Sequence, residues 1–350
     1  MSDPKADVAK RPPRAMILGC CGPELNETER RFFADANPLG FILFARNCID
    51  PGQLRALVGA LRESVGRADA PILIDQEGGR VTRLKPPHWW AAPAAQCFAD
   101  LARRDADRGA EAARLGARLI AAELNELGIS INCVPVLDVP QPGASPAIGD
   151  RAVGDTPARA AALGHAVCEG VLDGGLLPVI KHIPGHGRAL VDSHDALPEV
   201  TVGQDDLECA DWVPFRALSA MPWAMTGHVV YQSIDASQPA TTSAKVIGRV
   251  IRDAIGFDGV LISDDLSMKA LKDGPGPSAG AALAAGCDLV LHCNGVLTEM
   301  EAVTEAVGPC AEVTLGRLAR AEAMRRQPKP FDMAWAHRRL DGLLRGEEDG

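Results

Sequence analysis

Leu176-Leu177-Pro178-Val179-Ile180-Lys181-His182-Ile183-Pro184-Gly185-His186-Gly187 is the stretch on which the reading of the fold turns. Its first five residues carry no charge and read as a strand buried on both faces, the kind that sits in a parallel sheet. The run then opens into an ammonium and two imidazoles on a segment punctuated by Pro184, Gly185 and Gly187. A buried strand that ends in a polar, glycine-rich loop is where an α/β protein tends to keep its chemistry. The two glycines reach backbone angles closed to other residues, so the loop can fold tightly or move. Asp192-Ser193-His194 completes the segment with a carboxylate and a third imidazole.

The same alternation recurs along the chain. Strand candidates are 15–19, 40–44, 71–75, 129–134, 177–180, 223–226, 259–263 and 288–292. Between them lie helical patterns at 27–35, 53–65, 107–127, 157–173, 206–219, 245–255, 278–285 and 298–307. The segment from Gly109 to Glu126 is rich in Ala, Leu, Arg and Glu, which is strong helix composition. Asp206 and Ser243 read as N-cap signals. Eight strand-then-helix units point to an α/β fold, a single (β/α)8 TIM-type barrel over residues 15–345; the alternative is an open doubly wound sheet. The tail from about Gln327, with Trp335, is expected to pack as a last helix, and Gly346–Gly350 to fray. Residues 1–14 read as a flexible, solvated arm.

Polar residues follow the strands in turn: Arg46-Asn47, Asp75, Asp138, Lys181-His182, His228, Asp264-Asp265 and Asn294. In a barrel they would converge on one end, the end that carries active sites.

Composition narrows the partners. Of 350 residues 47% are hydrophobic, ample for a large core, and the net charge of −10 argues against a nucleic-acid partner. The N-terminal segment has no apolar core of a secretory signal, and no stretch approaches the ~20 apolar residues that span a bilayer. A cytoplasmic protein without a membrane partner is expected. Ten scattered cysteines form no CxxC pair and read as buried small hydrophobes in a reducing compartment.

Asp75 emerges from the apolar run Ile72-Leu73-Ile74 and is followed by Gln76-Glu77-Gly78-Gly79-Arg80-Val81-Thr82-Arg83. A carboxylate there can grip a diol, as in sugar binding; a structural Asp–Arg pair in a turn is the plain alternative. Asp264 and Asp265 end another buried strand, where one acid can serve as nucleophile or base while the other caps or holds a neighbour. Neighbouring strand side chains face opposite ways, so one acid is expected at the barrel mouth, and spacing leaves open which. His182, His186, Asp192 and His194 raise a metal site, but Pro184, Gly185 and Gly187 forbid the helix that would put two of them on one face. Asp192-Ser193-His194 suits a carboxylate that orients an imidazole for general acid/base work. Ser193 as a nucleophile lacks a GxSxG elbow.

These residues resemble glycoside hydrolase family 3, in particular its single-domain bacterial β-N-acetylglucosaminidases of peptidoglycan recycling. The matching segments are 40–47, Ile74 to Val81, Pro135-Val136-Leu137-Asp138, Ile148-Gly149-Asp150-Arg151, Lys181 to Gly187, Asp192-Ser193-His194, Ser263-Asp264-Asp265-Leu266 and Ala285-Gly286-Cys287-Asp288. They keep the family's order from about residue 15 to 300. Ile183 stands where Phe is common, and Gly227 where Ala or Ser is common. The resemblance implies a retaining exo-glycosidase that removes terminal β-linked N-acetylglucosamine from muropeptides through a covalent glycosyl-enzyme. It implies Asp264 as nucleophile, His194 as general acid/base with Asp192 as its partner, and sugar binding by Asp75, Arg83, Arg151, Lys181 and His182. No metal or cofactor is implied, and the expected partner is a small saccharide or muropeptide met by a monomer. A family 3 β-glucosidase or xylosidase and a non-catalytic sugar-binding barrel are the competing readings. The glycine pair suggests that the loop bearing His194 closes over bound sugar.

Overall fold

The computed structural model describes residues 11–193 and 195–347. Eight parallel strands close into a barrel: β1 Arg14–Gly19, β2 Pro38–Leu43, β3 Ile72–Ile74, β4 Ile131–Asn132, β5 Leu177–Ile183, β6 Trp223–Thr226, β7 Val260–Asp265 and β8 Leu289–His292. Each pairs with its neighbours in sequence, and β8 pairs with β1 to shut the ring. The open doubly wound alternative is thereby excluded. The strands are buried on both faces because helices cover the outside and side chains fill the inside, so they read as continuous apolar runs.

Register brings the strand ends level. Leu43 lies beside Ile74, Ile74 beside Asn132, Lys181 beside Met225 and Met225 beside Ile262. The polar residues that follow each strand therefore share one rim. Between β5 and β6 the register shifts at Lys181 and Ile183, an extra residue on β5 that re-aims the side chains at the strand's end.

The helices follow the expected order, with several differences. The helix expected to start at Asp206 begins at Gln204 behind Gly203, so Asp206 lies inside it and caps nothing. That helix passes through a π turn at Leu207–Asp211, just before Pro214, whose missing N–H cannot serve the Ala210 carbonyl. Val246–Ala254 is also wound in π form, and there Ser243 does cap, its Oγ accepting from Val246 N at 3.2 Å. Two further helices, Ala95–Ala102 and Glu312–Ala323, lie outside the expected set.

The tail forms the helix Met333–Arg345, held by Arg339 to Glu111 at 2.7 Å and by His337 edge-on to Trp90 at 4.8 Å. Trp335 itself is exposed; Ala336, Leu340 and Leu343 make the buried face. The arm expected over 1–14 does not reach residue 14: Arg14 is already in β1 and the Pro13 carbonyl accepts from Cys310 N at 2.8 Å. Residues 1–10 lie outside the described residues, as do 348–350 of the end expected to fray. No described helix is long and apolar enough to cross a membrane, and all ten cysteines are free thiols.

Candidate active site

At the C-terminal rim of the barrel lies an open pocket of about 900 Å³, its mouth included. Asp75, Arg83, Arg151, Lys181, His182, Asp192 and Asp264 all line it, together with Phe44, Glu77, Arg80, His186 and Asp265. Every expected site residue among the described ones is thus brought together. His194 lies outside the described residues. A second cavity, mostly apolar and lined by Trp90, Phe98, Ile120 and Val153, sits behind Glu77 and Arg151. It holds none of the imidazoles or strand-end aspartates, so the polar pocket is the place for chemistry.

One wall is an ion cluster. Lys181, 2% exposed, places Nζ 2.8 Å from Asp75 Oδ1 and 2.7 Å from Glu77 Oε1. Arg151 grips Glu77 with two parallel bonds of 2.9 Å, the geometry a guanidinium and a carboxylate share. Arg83 reaches Asp75 Oδ2 at 3.2 Å and lies 4.8 Å over the Phe44 ring. Burial pushes the Asp75 carboxyl up, but the Lys181 ammonium and then the Arg83 guanidinium outweigh it and hold the group well below the usual carboxylate range. Glu77 is likewise pushed up by burial and held low by Lys181 and Arg151. For Lys181, desolvation works against the charge and the two acids more than restore it. Asp75 is therefore tied to Arg83 as in a structural pair and still faces the pocket, so the two alternatives read from the sequence do not exclude each other.

A second cluster fixes the imidazoles. Asp138, fully buried, accepts from His182 Nδ1 at 2.7 Å and from the His186 backbone N at 2.6 Å. Burial again raises this carboxyl, and the neighbouring His182 brings it below its ordinary value. An ionised carboxylate only accepts, so the His182 proton at this contact sits on Nδ1. His186 is buried, which lowers its pKa, and its Nε2 lies 3.3 Å from Ser193 Oγ.

The loop after β5 is pinned at its start. Gly185 takes φ +131° and packs against Asp211, while a Cβ on Gly187 would overlap the Val139 carbonyl. Gly185 O accepts from Tyr231 Oη at 2.6 Å, Gly187 O from Gln141 N at 3.0 Å, and Arg188 pairs with Asp211 at 2.7 Å. The two glycines serve close backbone approach and not a free hinge.

The adjacent acids separate in role. Asp265 Oδ1 accepts from Ser267 N and Cys293 N, both at 3.1 Å, and its Oδ2 from Ser267 Oγ at 2.6 Å. That carboxylate is engaged in holding the rim. Among the described residues, Asp264 Oδ1 accepts a single bond, from Asp265 N at 2.8 Å. Burial raises the Asp264 carboxyl, and His182 and His228 outweigh that effect to keep it below its ordinary value. An ionised, pocket-facing carboxylate with few partners is what nucleophilic or base chemistry requires. Among the described residues no group of three or more His, Cys, Asp and Glu side chains is arranged to hold a metal ion.

Sequence reasoning gives no catalytic or sugar-binding role to Glu77, Asp138 or His186, His186 entering only in the disfavoured metal reading and Asp138 only as a strand-end residue. Each sits inside a stretch already singled out, but burial against Lys181, Arg151 or His182 is a tertiary fact. The one available signal is position at a strand end, which Asp138 has.

A family profile described as the glycosyl hydrolase family 3 N terminal domain matches residues 14–323. A β-hexosaminidase of Alkalilimnicola ehrlichii is 40% identical over 283 residues, 80% of either chain. One from Thioalkalivibrio sulfidiphilus is 38% identical over 313 residues, 87% of this chain and 88% of its own. Native NagZ from Neisseria gonorrhoeae has the same fold, with a TM-score of 0.84 and 32% identity over 95% of this chain and 98% of that one.

Proposed function

The chain belongs to glycoside hydrolase family 3 and is a β-N-acetylhexosaminidase, and we propose that it works as a retaining exo-glycosidase on terminal β-linked N-acetylglucosamine. In this reading Asp264 attacks the anomeric carbon, the glycosidic C–O bond breaks, and His194 gives its proton to the departing oxygen. His194 then takes a proton from water as that water displaces Asp264 and restores the free carboxylate. Retaining enzymes of this general kind use paired groups on opposite sides of the scissile bond. An imidazole with an ordinary pKa of about 6.5 serves as acid and base near neutral pH, and Asp192 is its orienting partner.

The observation that carries the reading is Asp264, ionised and sparsely bonded, in one pocket with Asp192 and the Lys181–Asp75–Glu77–Arg151 cluster. Asp75, Arg83, Arg151, Lys181 and His182 offer the charged donors and acceptors that sugar hydroxyls and an acetamido group need. We further assign the physiological substrate to cytosolic muropeptides, N-acetylglucosamine linked to anhydro-N-acetylmuramic acid with or without peptide, acted on by a monomer. The resemblance of the Asp192-Ser193-His194 loop to the N-acetylglucosaminidase branch supports this. Turnover of nitrophenyl β-N-acetylglucosaminide against nitrophenyl β-glucoside tests the specificity. A clear preference for the first is expected, and a preference for the glucoside would overturn it. Release of N-acetylglucosamine from a purified disaccharide muropeptide tests the finer assignment.

A further inference from the structure

We propose that His228 is a positioning residue for the Asp264 carboxylate, acting through the backbone of Asp265, a role that rests on the reading of Asp264 as nucleophile. His228 follows β6 and is fully buried. Its Nε2 lies 3.0 Å from the Asp265 carbonyl oxygen. A carbonyl only accepts, so Nε2 carries the proton. Nδ1 lies 2.7 Å from Thr241 Oγ1, which in turn lies 2.8 Å from Thr226 Oγ1. The Thr226–Thr241 hydroxyl pair can hand Nδ1 the donor it needs, leaving the other ring nitrogen to hold Asp265.

The consequence is at Asp265. Its carbonyl is held by His228 from β6, its carboxylate by Ser267 and by Cys293 N after β8, and the next amide, Leu266 N, donates to Leu291 O on β8 at 2.9 Å. These bonds hold Asp265 at its following peptide unit and its side chain, restricting how its N–H is presented, and that N–H donates to Asp264 Oδ1 at 2.8 Å. That leaves Oδ2 as the oxygen to bond to carbon. Small misplacement of a nucleophile is costly to rate, which is why groups behind the reacting atoms matter. Among the described residues, the charged and titratable groups around Asp264 include Lys181 and His182 from β5, His186 from the following loop, His228 after β6, the adjacent Asp265 and Cys293 after β8. Of these, His228 meets Asp265 through its side chain, whereas Cys293 does so through its backbone N.

A buried histidine that merely knits β6 to β7 would alter stability and leave catalysis alone, so the test must read both. His228→Leu, His228→Gln, Thr241→Val and the Thr241→Val/His228→Gln double variant are assayed on nitrophenyl β-N-acetylglucosaminide, with melting temperature measured alongside. His228→Leu is expected to lower kcat by about 10- to 100-fold with KM little changed. His228→Gln, whose amide N–H can reach the same carbonyl, should recover most of the loss. Thr241→Val should lower kcat when His228 is present and have no further effect when combined with His228→Gln. Equal kcat in the Leu and Gln variants, or an unchanged kcat with only a lower melting temperature, would overturn the proposal. Should His228→Leu fail to fold, a wild-type kcat in Thr241→Val would do so. Wild-type turnover in Asp264→Ala would instead remove the nucleophile reading beneath it.

Discussion

Lys181 and Asp75, more than a hundred residues apart in the chain, meet at 2.8 Å in the barrel mouth, with Glu77 sharing the same ammonium. The ammonium is the counter-charge that lets two neighbouring, largely desolvated acids remain ionised. Replacing it with Met would leave two partly buried carboxylates near each other, Arg83 and Arg151 their remaining cations. Breaking a buried pair from one side costs about 3–5 kcal/mol. Lys181→Met is therefore expected to lower the urea midpoint and to raise KM together with a loss of kcat. An unchanged urea midpoint would show that the cluster does not hold the rim.

Acid sensitivity follows from the same groups. Asp75, Glu77, Asp138 and Asp264 all titrate below their ordinary values in the folded chain. A depressed carboxyl stabilises the fold above its unfolded pKa of about 4, and the stability is lost as pH falls through the folded value. The melting temperature should accordingly fall as the pH drops below about 4. Asp138→Asn should shrink that dependence, since one such group is removed. A variant with the full wild-type pH dependence would contradict the assignment of Asp138.

The two adjacent acids should respond differently. Asp264→Ala is expected to lower kcat by at least about 10⁴-fold with the fold intact. Asp265→Ala should leave measurable turnover but cost roughly 2–3 kcal/mol, because the bonds to Ser267 N, Ser267 Oγ and Cys293 N all go. Rates and melting curves of both variants decide, and the reverse ranking of activities would mean the wrong acid was chosen.

Gly187→Ala tests the anchoring of the loop. The added methyl would meet the Val139 carbonyl, so the backbone must move and the Gln141–Gly187 bond must loosen. The expectation is a loss of about 1–3 kcal/mol and a fall in kcat, read from melting curves and steady-state rates. Wild-type values for both would show that the segment is loose there and would revive the hinge reading of Gly185 and Gly187.

The barrel is legible in the sequence because each strand is a short apolar run ending in a polar residue, which is what burial on both faces demands. Even Ile131–Asn132, two residues long, shows through the longer run around it. The helix Ala95–Ala102 does not, since its eight residues are mixed in character and stand after a long loop that gives no period. Asp206 misleads because an acid before an apolar pattern looks like a cap, whereas the chain has already turned helical at Gln204. At the site, motifs name Asp75, Arg83, Arg151, Lys181, His182, Asp192 and Asp264, and these meet in one pocket. What the motifs do not carry is the wiring. That Asp265 is held by Ser267 and by Cys293 N after β8, while Asp264 accepts one hydrogen bond from the described residues, depends on how the chain turns at the end of β7 and on its contact with β8, which spacing does not reveal.

The most direct test of the central claim is mass spectrometry of the enzyme after inactivation by a slow fluorosugar analogue of N-acetylglucosamine. The account predicts a single glycosylated peptide carrying the sugar on Asp264. A label on Asp265 or on any other residue, with Asp264 unmodified, would contradict it.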